Sequence, residues 1–156
     1  MRAVVQRVLR ASVTMEGEQI GAVDGSACYL ILLGIHRDDT EAEARLLARK
    51  LSALRIFADA AGKMNRSLLE LDGQSLVISQ FTLFADLRRG RRPSFFEAAP
   101  PEQAIPLIDL FCASLAGTVR QGRFGARMQV ELVNDGPVTV TLDTELWRKD
   151  GGALTG

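Results

Sequence analysis

The apolar run Cys28-Tyr29-Leu30-Ile31-Leu32-Leu33 limits the possible folds more than any other stretch of the chain. It is the length of a strand and has no polar face to turn toward water. The stretch 26–35 that contains it therefore reads as a central strand, buried on both faces. Other segments must supply its neighbours. Residues 2–9 and 11–15 are valine-rich and alternate well enough for strands, and Glu16-Gly17-Glu18 supplies a turn into a short strand at 19–23. The opening reads as a hairpin.

From Thr40 the period changes. Leu47, Leu51, Leu54 and Ala58 recur at helical spacing, flanked by Leu46 and Phe57. Thr40 and Glu43 fit a capping box, and Glu41 lies one turn before Arg45, which predicts a helix at about 40–53. Arg55-Ile56-Phe57 then begins a short strand that ends at the turn Asp59-Ala60-Ala61-Gly62. Beyond the Asp72-Gly73 turn, residues 75–84 carry the strongest strand signal of the second half.

Pro100-Pro101 opens a second helix with Ala104, Leu107, Ile108, Phe111 and Leu115 on one face and Gly117 as its C-cap. Pro106 conflicts with this, because a proline past the first turn costs roughly 3 kcal/mol. The helix is either bent there or starts later than Pro101. Residues 128–132 and 138–143 alternate as strands, with Val138, Val140 and Leu142 on one face and Thr139 and Thr141 on the other. Many strands with two inserted helices predict a single α+β domain, a curved sheet or small β-barrel with two packed helices outside. The domain is expected to span residues 1–145, with 146–156 as a C-terminal tail.

Length and composition agree. A chain of 156 residues, 47% hydrophobic, is large enough to bury a core without disulfide or metal staples. The formal net charge is zero, so attraction to nucleic acid must come from a local patch. Cys28 and Cys112 stand far apart in apolar segments and read as reduced core residues. Charge interrupts the N-terminal segment too early for a signal peptide, and no apolar run reaches membrane-spanning length. A soluble, cytoplasmic protein with no membrane association is expected. His36 is the sole histidine, with no nucleophile elbow or metal pair beside it, so neither a histidine-based hydrolase nor a zinc site is indicated, and no cofactor or metal is expected.

Three stretches are left without a purely structural role. Ser79, Gln80 and Thr82 are polar groups in an apolar strand, and such groups need partners or a ligand when buried. Arg88-Arg89-Gly90-Arg91-Arg92 is the largest charge concentration in the chain, followed at once by Phe95 and Phe96. It reads either as a phosphate-binding loop with stacking rings or as a solvated turn whose phenylalanines enter the core. Asn134-Asp135-Gly136-Pro137 joins two strands, and by itself it is turn punctuation.

Taken together, Ser79-Gln80-Phe81-Thr82-Leu83, Arg91-Arg92-Pro93-Ser94-Phe95 and Asn134-Asp135-Gly136-Pro137-Val138-Thr139 occur in the order found in D-aminoacyl-tRNA deacylases. Gln6-Arg7-Val8, Ala11-Ser12-Val13, Gly62-Lys63-Met64-Asn65 and Gly122-Arg123-Phe124-Gly125 also resemble that family. The likeness covers roughly residues 1–143.

The resemblance implies a homodimer with its active site at the subunit interface, hydrolysing the ester that joins a D-amino acid, or glycine, to tRNA. It implies a cis bond between Gly136 and Pro137, which project into the other subunit's pocket lined by Ser79, Gln80, Phe81 and Thr82. Arg7 would orient the Gly-Pro carbonyls, Phe124 and Met128 would lie near the bound tRNA end, and Arg88, Arg89, Arg91 and Arg92 would contact tRNA. Backbone carbonyls make a rigid wall that excludes an L side chain by clash and leaves glycine unrejected. Backbone N–H groups near Phe81 and Thr82 would stabilise the oxyanion, with Thr82 as nucleophile the competing route. Two further readings stay open: a non-catalytic RNA-binding module using the arginine loop, and a structural oligomer in which Gly136-Pro137 is only a turn.

Overall fold

The computed structural model describes residues 1–147. Strands β1 (Arg2–Met15) and β2 (Glu18–Gly34) form one long antiparallel hairpin. Its two-residue turn has Glu16 and Gly17 at φ 53° and 85°, the positive values that let a tight turn follow the twist of its strands. The two strand pieces expected in each arm are continuous. A bulge, not a turn, explains the breaks: Val8 pairs with Cys28 and Arg10 with Asp24, leaving one residue opposite three.

The bulge also changes which face the side chains of β1 occupy. Ala3 and Val5 point to one side of the sheet, whereas Val8, Ala11 and Val13 point to the other. In β2, Tyr29, Ile31 and Leu33 lie in one core and Cys28 and Leu30 in the second. The apolar run is thus buried on both faces, as its sequence requires.

Helix α1 (Glu41–Ser52) forms with the predicted capping box: Thr40 and Glu43 satisfy each other's backbone groups. A short antiparallel pair, β3 (Phe57–Ala58) and β4 (Met64–Arg66), follows. Helix α2 (Leu68–Leu71) is a single turn with its own capping box from Ser67 and Glu70, a third helix beyond the two expected. Strand β5 (Gln74–Ser79) then pairs parallel to β2.

Helix α3 (Pro101–Ser114) starts at Pro101 and runs through Pro106. Pro106 lies on the exposed face of α3, where water can serve the carbonyl that proline leaves without a donor. Its buried face is the predicted one, Ala104, Leu107, Ile108 and Phe111, with Leu115 as the C-cap; Gly117 falls two residues later. Strand β6 (Thr118–Gln121) pairs parallel to β5, and β7 (Gln129–Asp143) pairs antiparallel to β1. Strand β6 is an addition to the expected elements, because four residues containing Thr, Arg and Gln carry no strand signal.

The sheet order is β6-β5-β2-β1-β7, an α+β arrangement whose open edges are β6 and β7, so of the two architectures expected it is the sheet and not the barrel. Helices α1 and α3 cover one face and build the larger core with Tyr29, Ile31, Leu33 and Val77. The opposite face carries the smaller core, where Leu76 and Ile78 meet half-buried Met128, Val130 and Leu132. Both cysteines are free and buried, and burial pushes the Cys112 thiol up to about 12. The Met1 α-amine is buried against Asp39 Oδ1 at 2.7 Å, and desolvation raises the Asp39 pKa against the pull of that amine. Leu146 and Trp147, assigned to the tail, belong to a 3₁₀ turn in which Trp147 packs on the larger core under Lys50 Nζ. The rest of that tail lies outside the described residues. No described helix is long and apolar enough to cross a membrane.

Candidate active site

Strand β5 ends at Ser79 because its partner ends: β2 stops at Gly34, one residue beyond the last pair, Leu33 with Ser79. The chain then folds into a 3₁₀ turn (Phe81–Phe84), which replaces the strand expected through residue 84. The turn crosses over Gly34, where an added Cβ would lie 3.0 Å from the Gln80 carbonyl oxygen and 3.1 Å from the Phe84 ring. Gln80 N donates to Leu33 O at 2.7 Å and Leu83 N to Gln80 O at 3.2 Å. Between them, the N–H groups of Phe81 and Thr82 have no acceptor among the described residues, as the first donors of a helical turn do not.

Phe81 borders a cleft of about 550 Å³, a size suited to a small ligand, and Thr82 follows it just outside the lining. Its walls include Ser79, Gln80 and Phe81 from the end of β5, Phe95 and Ala98 from the segment before α3, and Phe124, Met128 and Val130 from the approach to β7. Phe81 and Phe95 meet edge to face with ring centroids 4.9 Å apart, so Phe95 fixes an otherwise exposed Phe81. Thr82 is exposed and does not line the cleft; its Oγ1 accepts a hydrogen bond from Gln80 Nε2.

Gly136 and Pro137 lie elsewhere. They do not join two strands, as their sequence suggests, but interrupt β7 from within: Asn134 pairs with Val8 and Thr139 with Gln6, so residues 135–138 bulge outward opposite the single residue Arg7. An edge strand tolerates this, since proline there interrupts no inner ladder. The Gly136–Pro137 peptide is cis and both residues are exposed. Gly136 has φ 126°, and an added Cβ would stand 2.7 Å from Val138 Cγ2, so only glycine fits.

The bulge is held from beneath. Asn134 Nδ2 donates to Arg7 O at 2.8 Å and to Val138 O at 3.0 Å, tying both ends of the bulge together. The largely buried Arg7 donates from Nη1 to Ile56 O at 2.5 Å. Its Nε sits 2.8 Å from Asp135 Oδ2 as an ion pair, although outside hydrogen-bond geometry. Sequence reasoning assigns no role to Asn134 or Asp135, because Asn-Asp-Gly reads there as ordinary turn chemistry.

Ser79, Gln80, Phe81, Phe124 and Met128 are thus brought together, while Arg7, Gly136 and Pro137 form a separate group. Strands β2 and β1 lie between β5 and β7, so three strand spacings, roughly 14 Å, separate the two groups across the sheet. The arginine loop forms a third region, closed at its base by backbone hydrogen bonds between Asp86 and Ser94. Arg88 is clamped on Asp86 by three hydrogen bonds of 2.8–2.9 Å, which hold the Asp86 carboxyl down to about 2. Arg89, Arg91 and Arg92 make no ion pair among the described residues. Phe96 does not enter the core: it is exposed beneath the Arg37 guanidinium, 3.6 Å from its ring centroid.

His36 is occupied, with Nε2 2.9 Å from Glu97 Oε2 and Nδ1 accepting from Asp38 N. Among the described residues no group of three histidine, cysteine, aspartate or glutamate side chains is gathered to hold a metal ion.

The family model described as D-Tyr-tRNA(Tyr) deacylase matches residues 4–143, which take in the cleft, the arginine loop and the bulge. The chain belongs to this deacylase family. A D-aminoacyl-tRNA deacylase of Roseiflexus sp. (strain RS-1) is 60% identical over 96% of this chain and 97% of its own length. One of Thermomicrobium roseum (strain ATCC 27502 / DSM 5159 / P-2) is 52% identical over 99% of both. A solved structure described as the c-Myc DNA unwinding element binding protein is 42% identical, with a TM-score of 0.85 over 92% of this chain and 98% of that one. Membership of the deacylase family makes this chain an enzyme, a hydrolase of the aminoacyl-tRNA ester bond.

Proposed function

We propose that two copies of the chain form a cytoplasmic homodimer that hydrolyses D-aminoacyl-tRNA, and tRNA mischarged with glycine, while sparing the L-form. The observation that carries this reading is the free N–H of Phe81, a residue in the wall of a cleft large enough for a nucleoside ester, with the free N–H of Thr82 next to it in the chain. They receive the negative charge that develops on the ester carbonyl oxygen as water attacks, and one well-placed donor of this kind contributes about 3 kcal/mol. The Thr82 hydroxyl is engaged by Gln80 and has no histidine or carboxylate contact among the described residues, so it is a poor nucleophile and water is the better one.

The Gly136-Pro137 bulge is exposed, and a cleft open to solvent has nothing to exclude an L side chain. Pairing two subunits brings the bulge of one to the cleft of the other. The long β7 edge and the half-buried face beneath Val130 and Leu132 favour such a contact, since both are costly to leave uncovered. Backbone oxygens of the bulge then form the wall against an L side chain. Glycine has none and passes.

Subunit complementation tests the shared site. Phe81→Ala should cripple the cleft and Gly136→Ala the bulge. An equimolar mixture, unfolded and refolded together, should recover about a quarter of wild-type D-specific release, because half the dimers carry one intact composite site in two. Recovery no better than that of the separate variants would contradict it. The arginine loop adds salt-dependent tRNA affinity to this hydrolase, and family membership sets aside the expectation of an RNA-binding module without catalysis.

A further inference from the structure

A smaller cavity of about 320 Å³ opens from the same end of β5 and shares Ser79 and Phe124 with the cleft. It lies between the solvent side of α3 and the end of β6. Ile105 and Phe124 give it two apolar surfaces, both partly exposed. Between them stand Asp109, Gln121 and Arg123, whose side chains have no hydrogen-bond or ion-pair partner among the described residues.

A carboxylate, an amide and a guanidinium beside two apolar surfaces match the needs of a base with its phosphate. Aromatic and apolar faces hold the flat ring. An acidic side chain accepts from an exocyclic amino group such as N4 of cytosine, and a guanidinium serves a ring acceptor or phosphate oxygen. An amino-acid side chain would use the apolar walls and leave all three polar groups idle.

We propose that this cavity binds the nucleotide on the 5′ side of the terminal adenosine, a cytidine in the common 3′ end of tRNA, with Asp109 reading its amino group and Arg123 its phosphate or O2. The inference rests on the deacylase reading, which puts the terminal adenosine and its ester in the adjoining cleft. Phe124, common to both cavities, then lies between two successive nucleosides. The recognition is of a single-stranded end and needs nothing from the arginine loop.

The test compares kcat/KM for three D-aminoacyl esters carried on adenosine alone, on the dinucleotide cytidylyl-adenosine and on uridylyl-adenosine. The wild-type protein should favour the cytidylyl-adenosine ester over the adenosine ester by about tenfold, and over the uridylyl-adenosine ester by about fivefold. Arg123→Ala should bring the first ratio toward one, and Asp109→Ala should remove the preference for cytidine over uridine. Both positions are exposed, so the folded state should survive either change. Hydrolysis of all three esters at equal rates, or ratios untouched by both substitutions, would overturn the subsite while leaving the deacylase reading intact. Absence of release from every short ester while D-aminoacyl-tRNA is still hydrolysed would overturn the subsite alone, and absence of release from D-aminoacyl-tRNA as well would overturn the proposed D-specific hydrolysis and the subsite with it.

Discussion

The cleft beside Ser79 and the bulge at Gly136-Pro137 solve opposite structural problems. The cleft is concave, walled by Phe81, Phe95, Phe124 and Met128, and continuous with the cores beneath it. The bulge is convex, exposed, and held by polar contacts from Asn134 and Arg7. A cleft of this kind supplies affinity by burial but yields to the shape of its ligand. A backbone protrusion pinned at both ends offers little affinity and does not yield. Under the proposed function, rejection of one enantiomer draws on the second property and catalysis on the first, each from a separate part of the chain.

The sharpest way to break this comparison is Gly136→Ala. The added methyl group would meet Val138 at 2.7 Å on a backbone that disfavours any side chain, so the bulge must move. The D-over-L preference in single-turnover release should fall on the order of a hundredfold, because the displaced wall admits L side chains and no longer seats the D-ester squarely. Retention of rate and stereochemical preference would detach the bulge from the chemistry.

Arg7 tests the support beneath it. Arg7→Lys keeps the charge but loses the second donor, so D-specific release should drop about tenfold with stability lowered by about 1–2 kcal/mol in urea unfolding. Thr82→Ala addresses the cleft: release should stay within about threefold of wild type, because backbone N–H groups survive the substitution. A loss of three orders of magnitude would instead favour a covalent intermediate on Thr82.

The smallest effects belong to the arginine loop, which is part of neither region. Replacing Arg89, Arg91 or Arg92 by alanine should lower the salt dependence of tRNA binding by about 0.7–0.9 in log–log slope for each phosphate the side chain neutralises. Arg88→Ala should change it less, since Asp86 already holds that guanidinium. Asp86 has its carboxyl held at about 2, below the ordinary value, so the clamp is fully present above pH 4 and is lost as pH falls through 2. Amide exchange in the loop should rise over that interval.

Local signals in the sequence carry much of the fold. The Thr40/Glu43 capping box, the apolar faces of α1 and α3 and the doubly buried run in β2 act within a few residues, so spacing reveals them. The errors fall where a distant neighbour decides. Strand β5 stops at Ser79 because β2 ends beside it, and the bulge in β7 exists because Arg7 on another strand faces four residues. No periodicity records either fact. The cleft residues are legible as polar groups in an apolar strand, but Asn134 and Asp135 are hidden by their likeness to a common turn. Phe95 and Phe96 read as equivalent in sequence, yet one braces Phe81 and the other lies exposed under Arg37.

The central claim is that main-chain geometry selects the enantiomer. Purified protein incubated with one tRNA charged with either D- or L-tyrosine tests it most directly, by the single-turnover rate of amino-acid release. Fast release from the D-ester with the L-ester spared is the predicted result. Equal rates for the two would contradict it.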